Sequence, residues 1–223
     1  AIDRQALWAA VERKHTRGDA VTARELVVAL PCELDPVVRV ALTLWYAREL
    51  ADRYGVAVDV AVHLPSLRPG HDQRNHHAHL LMSACSVRLN DVGGLALGKK
   101  VEVLDPICQQ RRGGVPIEEF ERARWAALCN EALASAGRPD VVYDHRSYER
   151  QGVEQVPQVH LGPDGHDNLL RHRASPGNVV LLDRTRRYLE IESANAAIAE
   201  AKRYDAIAER EEQNGQEKGQ PSA

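Results

Sequence analysis

No run of apolar residues in this 223-residue chain approaches the ~20 needed to cross a bilayer, and no basic stretch leads into an apolar one at its start. Neither a membrane span nor a signal peptide is expected, and the reading is a soluble, cytoplasmic protein. Cysteine is sparse and scattered: Cys32, Cys85, Cys108 and Cys129 form no C-x-x-C pair, which speaks against a disulfide framework or a zinc knuckle and for reduced, partly buried thiols. No internal repeat is visible. Nor is there an excess of positive charge, since the formal net charge is −3 at pH 7. That argues against non-specific nucleic-acid binding by the whole chain while leaving room for a local basic groove. What is present is 43% hydrophobic residues, enough to bury a core, so one domain of about 170 residues with an appendage is expected.

The chain opens at Ala1 without methionine and runs straight into a helical pattern, with Leu7, Trp8 and Val11 on one stripe and Asp3 as N-cap. That abrupt opening leads to the expectation of a further segment upstream. Residues 22–30 form a β-rich run stopped by Pro31. Asp35 followed by Pro36 is an N-cap with proline at the first helical position, and Val37, Val40, Ala41, Leu44 and Trp45 recur at helical spacing up to Gly55. Over residues 56–63 valine alternates with other residues. A strand there puts Val56, Val58, Val60 and Val62 on one face and Ala57, Asp59, Ala61 and His63 on the other. Residues 64–75 read as a loop and 77–87 as a third strand.

The stretch holding Gly93, Lys99, Lys100, Arg111 and Arg112 reads as a long, positively charged surface loop. Residues 116–136 carry Trp125, Leu128, Cys129, Ala132, Leu133 and Ala136 at i, i+3, i+4 spacing, with Gly137 as the stop, and predict a helix. A short strand is expected at Val141 and Val142, before Asp144-His145-Arg146-Ser147. From residue 171 the character changes. Arg171, Arg173, Arg184, Arg186 and Arg187 make a basic patch, residues 189–212 a charged helix, and the composition thins to a disordered tail. The expected organisation is a core over residues 1–170, a linker-like segment over 171–214, and a tail over 215–223.

Chemistry concentrates in the run Asn75-His76-His77-Ala78-His79-Leu80. Residues two apart on a strand share a face, so His77 and His79 point one way and His76 the other. If this strand pairs antiparallel with the preceding one, His63 lies beside His77. Three neutral imidazoles bind a borderline divalent ion and leave positions open for a substrate oxygen, the arrangement of a catalytic rather than a structural metal site.

The histidine run, with its flanks, resembles the metal motif of the HUH endonucleases, and in particular the MobA/MobL (MobQ-type) plasmid mobilisation relaxases. The resemblance is carried over roughly residues 1–170 by Arg24-Glu25, Ala29-Leu30-Pro31-Cys32-Glu33-Leu34, His63, Asp72-Gln73-Arg74-Asn75-His76-His77-Ala78-His79-Leu80, Asp144-His145-Arg146-Ser147, Gln151-Gly152 and Val159-His160-Leu161-Gly162-Pro163. It implies an α+β fold, an antiparallel sheet flanked by helices with a C-terminal helical tail. The implied activity is a site- and strand-specific nickase and transesterase acting on single-stranded DNA at a plasmid origin of transfer, with other mobilisation (relaxosome) proteins as partners. In such enzymes a tyrosine phenolate attacks the scissile phosphodiester, and one divalent ion, here manganese, magnesium, zinc, nickel or cobalt, stabilises the phosphate. Glu25 and Glu33 are candidates to orient the imidazoles through their free N–H groups.

The family's nucleophile precedes the region that aligns with Ala1, and none of Tyr46, Tyr54, Tyr143, Tyr148, Tyr188 and Tyr204 matches its position. The catalytic tyrosine is therefore expected to be absent from the chain. Tyr46 and Tyr54 read as helix-packing residues, Tyr148 as one that could face DNA. Lys99, Lys100, Arg111, Arg112 and Arg146 are candidate contacts to a DNA backbone. Two alternatives stay open: a non-enzymatic metal- and DNA-binding remnant, and a related HUH replication initiator or transposase.

Overall fold

The computed structural model describes residues 3–68, 71–90, 93–111, 113 and 117–218, with side chains through residue 210. Arg112, Gly114 and the last five residues lie outside the described residues. The chain forms two compact units, Ala1–His145 and Arg146–Ala223.

The first unit begins with α1 (Arg4–Lys14), whose first turn is capped by the Asp3 carboxylate accepting from the Ala6 N–H at 2.7 Å. Strand β1 (Ala23–Ala29) leads through a tight loop into α2 (Pro36–Tyr54). Asp35 caps α2 and Gly55 ends it at φ 64°, the left-handed conformation that only glycine adopts without cost. Then follow β2 (Val58–His63), β3 (His77–Ser83), β4 (Cys85–Leu89), β5 (Leu95–Lys100), a single 3-10 turn (Glu102–Leu104), α3 (Pro106–Arg111) and α4 (Ile117–Ser135).

Strands β1, β3 and β2 make an antiparallel sheet with β3 in the middle. The period of two sorts its residues. Ala78, Leu80 and Met82 are buried, with Val58, Val60 and Val62 beside them, against Tyr46 and Leu50 of α2 and Trp125, Leu128 and Leu133 of α4. Burying each of the large side chains contributes about 1.5–3 kcal/mol. The Trp125 indole N–H reaches the Ala29 carbonyl at 3.0 Å, fastening α4 to β1. The buried Arg39 guanidinium donates to the Leu34 carbonyl at 2.8 Å and the Cys32 carbonyl at 3.2 Å, so the β1–α2 loop is pinned from below.

Helices α2 and α4 are also joined by charge. Glu121, 2% exposed, accepts from Tyr46 Oη at 2.8 Å, Arg53 Nη1 at 2.7 Å and the Tyr54 hydroxyl. Nearer the surface, Arg124 grips Glu49 with two hydrogen bonds, at 2.6 and 2.9 Å, and holds its carboxyl down at about 2, from an ordinary 4.5. A carboxylate lowered on folding contributes stability that is full above its unfolded pKa and lost as pH falls through the folded one. Urea midpoints should therefore fall between about pH 4.5 and pH 2, and fall less in Glu49→Gln; equal slopes for both proteins would refute this.

The third strand is shorter than the sequence suggests. Residues 77–87 split at Ala84, because the backbone there changes partners: Ala84 N–H donates to the Thr22 carbonyl and Val101 N–H to the Ala84 carbonyl. Cys85 then opens β4, which pairs with β5 as a separate ribbon. The region expected as one long loop thus contains β5 and α3. Its anchor is a second small core of Leu7, Val11 and Cys85, joined by Trp8, Ala57, Val87, Leu95 and Leu97. Val141 and Val142 form no strand. Asn130 instead clamps this segment to α4, its side chain donating to the Tyr143 carbonyl at 3.0 Å and accepting the Tyr143 N–H at 2.8 Å.

In the second unit, α5 (Tyr148–Gln151) is followed by α6 (Gly162–Ala174) and α7 (Asp183–Lys218). Asn168 ties α6 to residues 180 and 182, and Asn195 brackets Val156 with paired bonds of 2.8 and 2.9 Å. The arginines of the basic patch are largely spoken for: Arg173 pairs with Glu192, Arg186 with Asp183, Arg187 with Glu190. Helix α7 extends to Lys218, into the stretch read as a tail. Among the described residues no helix is long and apolar enough to cross a membrane.

Candidate metal centre

With helices covering one face of the β1-β3-β2 sheet, its other face is a grid fixed by register. One row holds Ala29, His77 and His63; the next Val27, His79 and Ala61; the third Glu25, Leu81 and Asp59. The three histidines therefore occupy adjoining corners on two strands. Their ring centroids are 4.6 to 5.4 Å apart, and one ligand nitrogen from each lies within 4.8 Å of the others. This group could hold a metal ion.

The hydrogen bonds around the rings fit that use. His77 Nδ1 lies 3.0 Å from the Asn75 carbonyl, and His79 Nδ1 lies 2.8 Å from Glu25 Oε1. An acceptor beside Nδ1 favours the proton on that nitrogen, and in the neutral ring Nε2 then offers its lone pair for a ligand bond. Glu25 reaches His79 diagonally across two strands, supplying the carboxylate that typically orients and enriches a metal-bound imidazole.

Glu33 goes elsewhere. It lies beside Cys32, and one of its carboxylate oxygens is buried without a hydrogen-bond partner among the described residues. Burial first, then the Glu33 carboxylate, pushes the Cys32 thiol up. Of the candidate DNA contacts, Lys99 and Arg111 are exposed, whereas Lys100 is tied to Asp105 in an ion pair. Arg112 lies outside the described residues, and Arg146 belongs to the second unit. Sequence reasoning overlooked Asn75 and the pair of Asp59 with Trp8. The signal for Asp59 was available, since it alternates onto the same strand face as His63.

The tyrosines of the first unit are not poised to ionise. Burial, and then Glu121, drive the Tyr46 and Tyr54 hydroxyls far above the ordinary value, and burial pushes Tyr143 up to about 12.

Residues 1–169 match the model of the MobA/MobL family. "Mobilization protein MobL" of Acidithiobacillus ferridurans is 44% identical over 180 residues, covering 72% of this chain and 46% of that protein. "Mobilization protein A" of Escherichia coli is 29% identical, covering 85% of this chain and 26% of that one. A solved structure described as "Molecular Basis of Vancomycin Resistance Transfer in Staphylococcus aureus" shares 26% identity, with 66% of this chain and 68% of that chain covered and a TM-score of 0.48. The chain spans less than half the length of these curated relatives. From its histidine grid and the family match over residues 1–169, this chain belongs to the MobA/MobL family.

Proposed function

We propose that the open face of the sheet holds one divalent ion on His63, His77 and His79 and presents a phosphodiester of single-stranded DNA for site-specific nicking at an origin of transfer, in plasmid mobilisation. The observation that carries this reading is the convergence of three imidazoles on the sheet face turned away from α2 and α4, two of them with Nδ1 beside an acceptor. Membership of a family whose relatives are named mobilisation proteins supports the biological role over replication or transposition.

A divalent ion bound there supplies a Lewis acid for the non-bridging phosphate oxygens. The chain's own residues do the positioning. Glu25 holds the His79 ring, Asn75 holds the His77 ring, and the double pairing of β3 keeps both from shifting. With Tyr46 and Tyr54 locked onto Glu121 and the Tyr143 hydroxyl pushed up by burial, the attacking phenolate is better supplied from outside the first unit's described residues. In the cell the partners are the transfer-origin strand and other mobilisation proteins.

The test uses the complete gene product and a labelled single strand spanning the transfer origin of the element that encodes it. Cleavage with covalent capture of one product should require added manganese or magnesium, stop with chelator, and vanish in His79→Ala while DNA binding persists. Undiminished cleavage by His79→Ala would sink the proposal.

A further inference from the structure

We propose that Trp8, tied to the sheet through Asp59 one row from the histidines, is a stacking platform for a nucleobase neighbouring the phosphate those histidines address; the inference rests on the phosphodiester reading above. Helix α1 is anchored by Leu7 and Val11, which are 6% and 0% exposed. Trp8 is only half-buried, and its indole N–H donates to Asp59 Oδ2 at 2.9 Å. The largest aromatic surface on the helix is thus fixed in orientation yet left partly open.

Its place follows from register. Asp59 stands two residues before Ala61, the Cα partner of His79, and is itself the partner of Leu81. At about 3.3 Å per residue that separation is about 6.6 Å, comparable to one extended nucleotide step. Next to Asp59 and His79 the surface is low and apolar at Ala61, which is small, and Leu81, which is half-buried, with the Glu25 carboxylate beyond Leu81 on β1. Such a surface suits a base or sugar, not a phosphate. Arg4 bonds the same Asp59 oxygen through Nε at 2.5 Å while its side chain stays 75% exposed, leaving guanidinium donors for the adjoining phosphate.

Every base has a π face, so aromatic stacking is tolerant of sequence, and losing one such contact weakens binding about 5- to 150-fold. The experiment is an abasic scan along a transfer-origin oligonucleotide, with affinities measured for the unsubstituted protein and for Trp8→Leu. In the unsubstituted protein one abasic position should weaken binding at least about fivefold, and in Trp8→Leu that same position should have no further effect. In parallel, Trp45→Phe removes the exposed tryptophan of α2, so that quenching of the remaining emission by DNA reports on Trp8 above the buried Trp125. Trp8→Phe, which keeps a stacking face and gives up the bond to Asp59, should retain most of the affinity. DNA bound equally well by Trp8→Leu, or abasic losses that simply add to the substitution, would overturn the platform while leaving the phosphodiester reading standing. No DNA binding by the unsubstituted protein would overturn both. The quenching measurement keeps the test independent of whether Trp8→Leu folds: saturating DNA that leaves the Trp8 emission unchanged would overturn the platform.

Discussion

Replacing His79 with alanine should remove metal binding by calorimetry with manganese or zinc, where the unsubstituted protein binds one ion per chain. Of the three candidate ligands His79 has most support: it sits on the central strand, its ring lies 4.6 Å from His63 and 5.4 Å from His77, and its Nδ1 lies 2.8 Å from Glu25. With it gone, the two remaining imidazoles cannot complete a three-nitrogen site. Affinity should fall by more than about 100-fold, beyond the 10- to 100-fold typical for loss of an orienting partner, which is the loss expected of Glu25→Gln. Thermal unfolding gives a second reading. An ion that binds only the folded state adds about 2.7 kcal/mol at a hundred times its Kd, a rise of several degrees that His79→Ala should not show. One tight ion retained by His79→Ala would place the metal elsewhere.

Glu121→Ala should be the most damaging single change away from that site. The carboxylate is 2% exposed and accepts from Tyr46, Tyr54 and Arg53, so its removal leaves two hydroxyls between α2 and α4 without their acceptor and Arg53 with Glu49 alone. Breaking a buried pair by removing one partner costs about 3–5 kcal/mol. Glu121→Gln should cost less because it keeps an acceptor. Pairing Glu121→Ala with Tyr46→Phe and Tyr54→Phe should recover part of the loss, since donors no longer present cannot be left unsatisfied. Urea denaturation at fixed m-value measures all of these. A loss below about 1 kcal/mol for Glu121→Ala would show that the network is solvated.

The clustering of the three histidines was legible in the sequence because it is a matter of parity. His77 and His79 are two apart on a strand, and His63 ends the strand before, so antiparallel pairing alone aligns them. Helices α2 and α4 were legible for a similar reason, each having a 3.6-residue period and punctuation such as Asp35, Pro36 and Gly55. What resisted reading depends on contacts distant in sequence. The ribbon of β4 and β5 is held by Leu7 and Val11, some eighty residues away, while β5 itself ends in Gly98-Lys99-Lys100. Val141 and Val142 have β propensity but no strand to pair with, and Asn130 captures the backbone instead. No pattern in the sequence distinguishes Glu25, which reaches His79, from Glu33, which does not.

The doubly paired central strand has a consequence for how this sequence can drift. Because two ladders align the histidines, the connection over residues 64–74 does not set their alignment, and each doubling of its length adds only about 0.6 kcal/mol of closure entropy. One residue gained or lost within His77–Ser83 instead sends Ala78, now buried, to the face that the histidines hold, and carries imidazoles into the core. Changes of length are thus cheap in the connection short of Asn75, whose carbonyl holds the His77 ring, while the strand beside it is closed to any change in count.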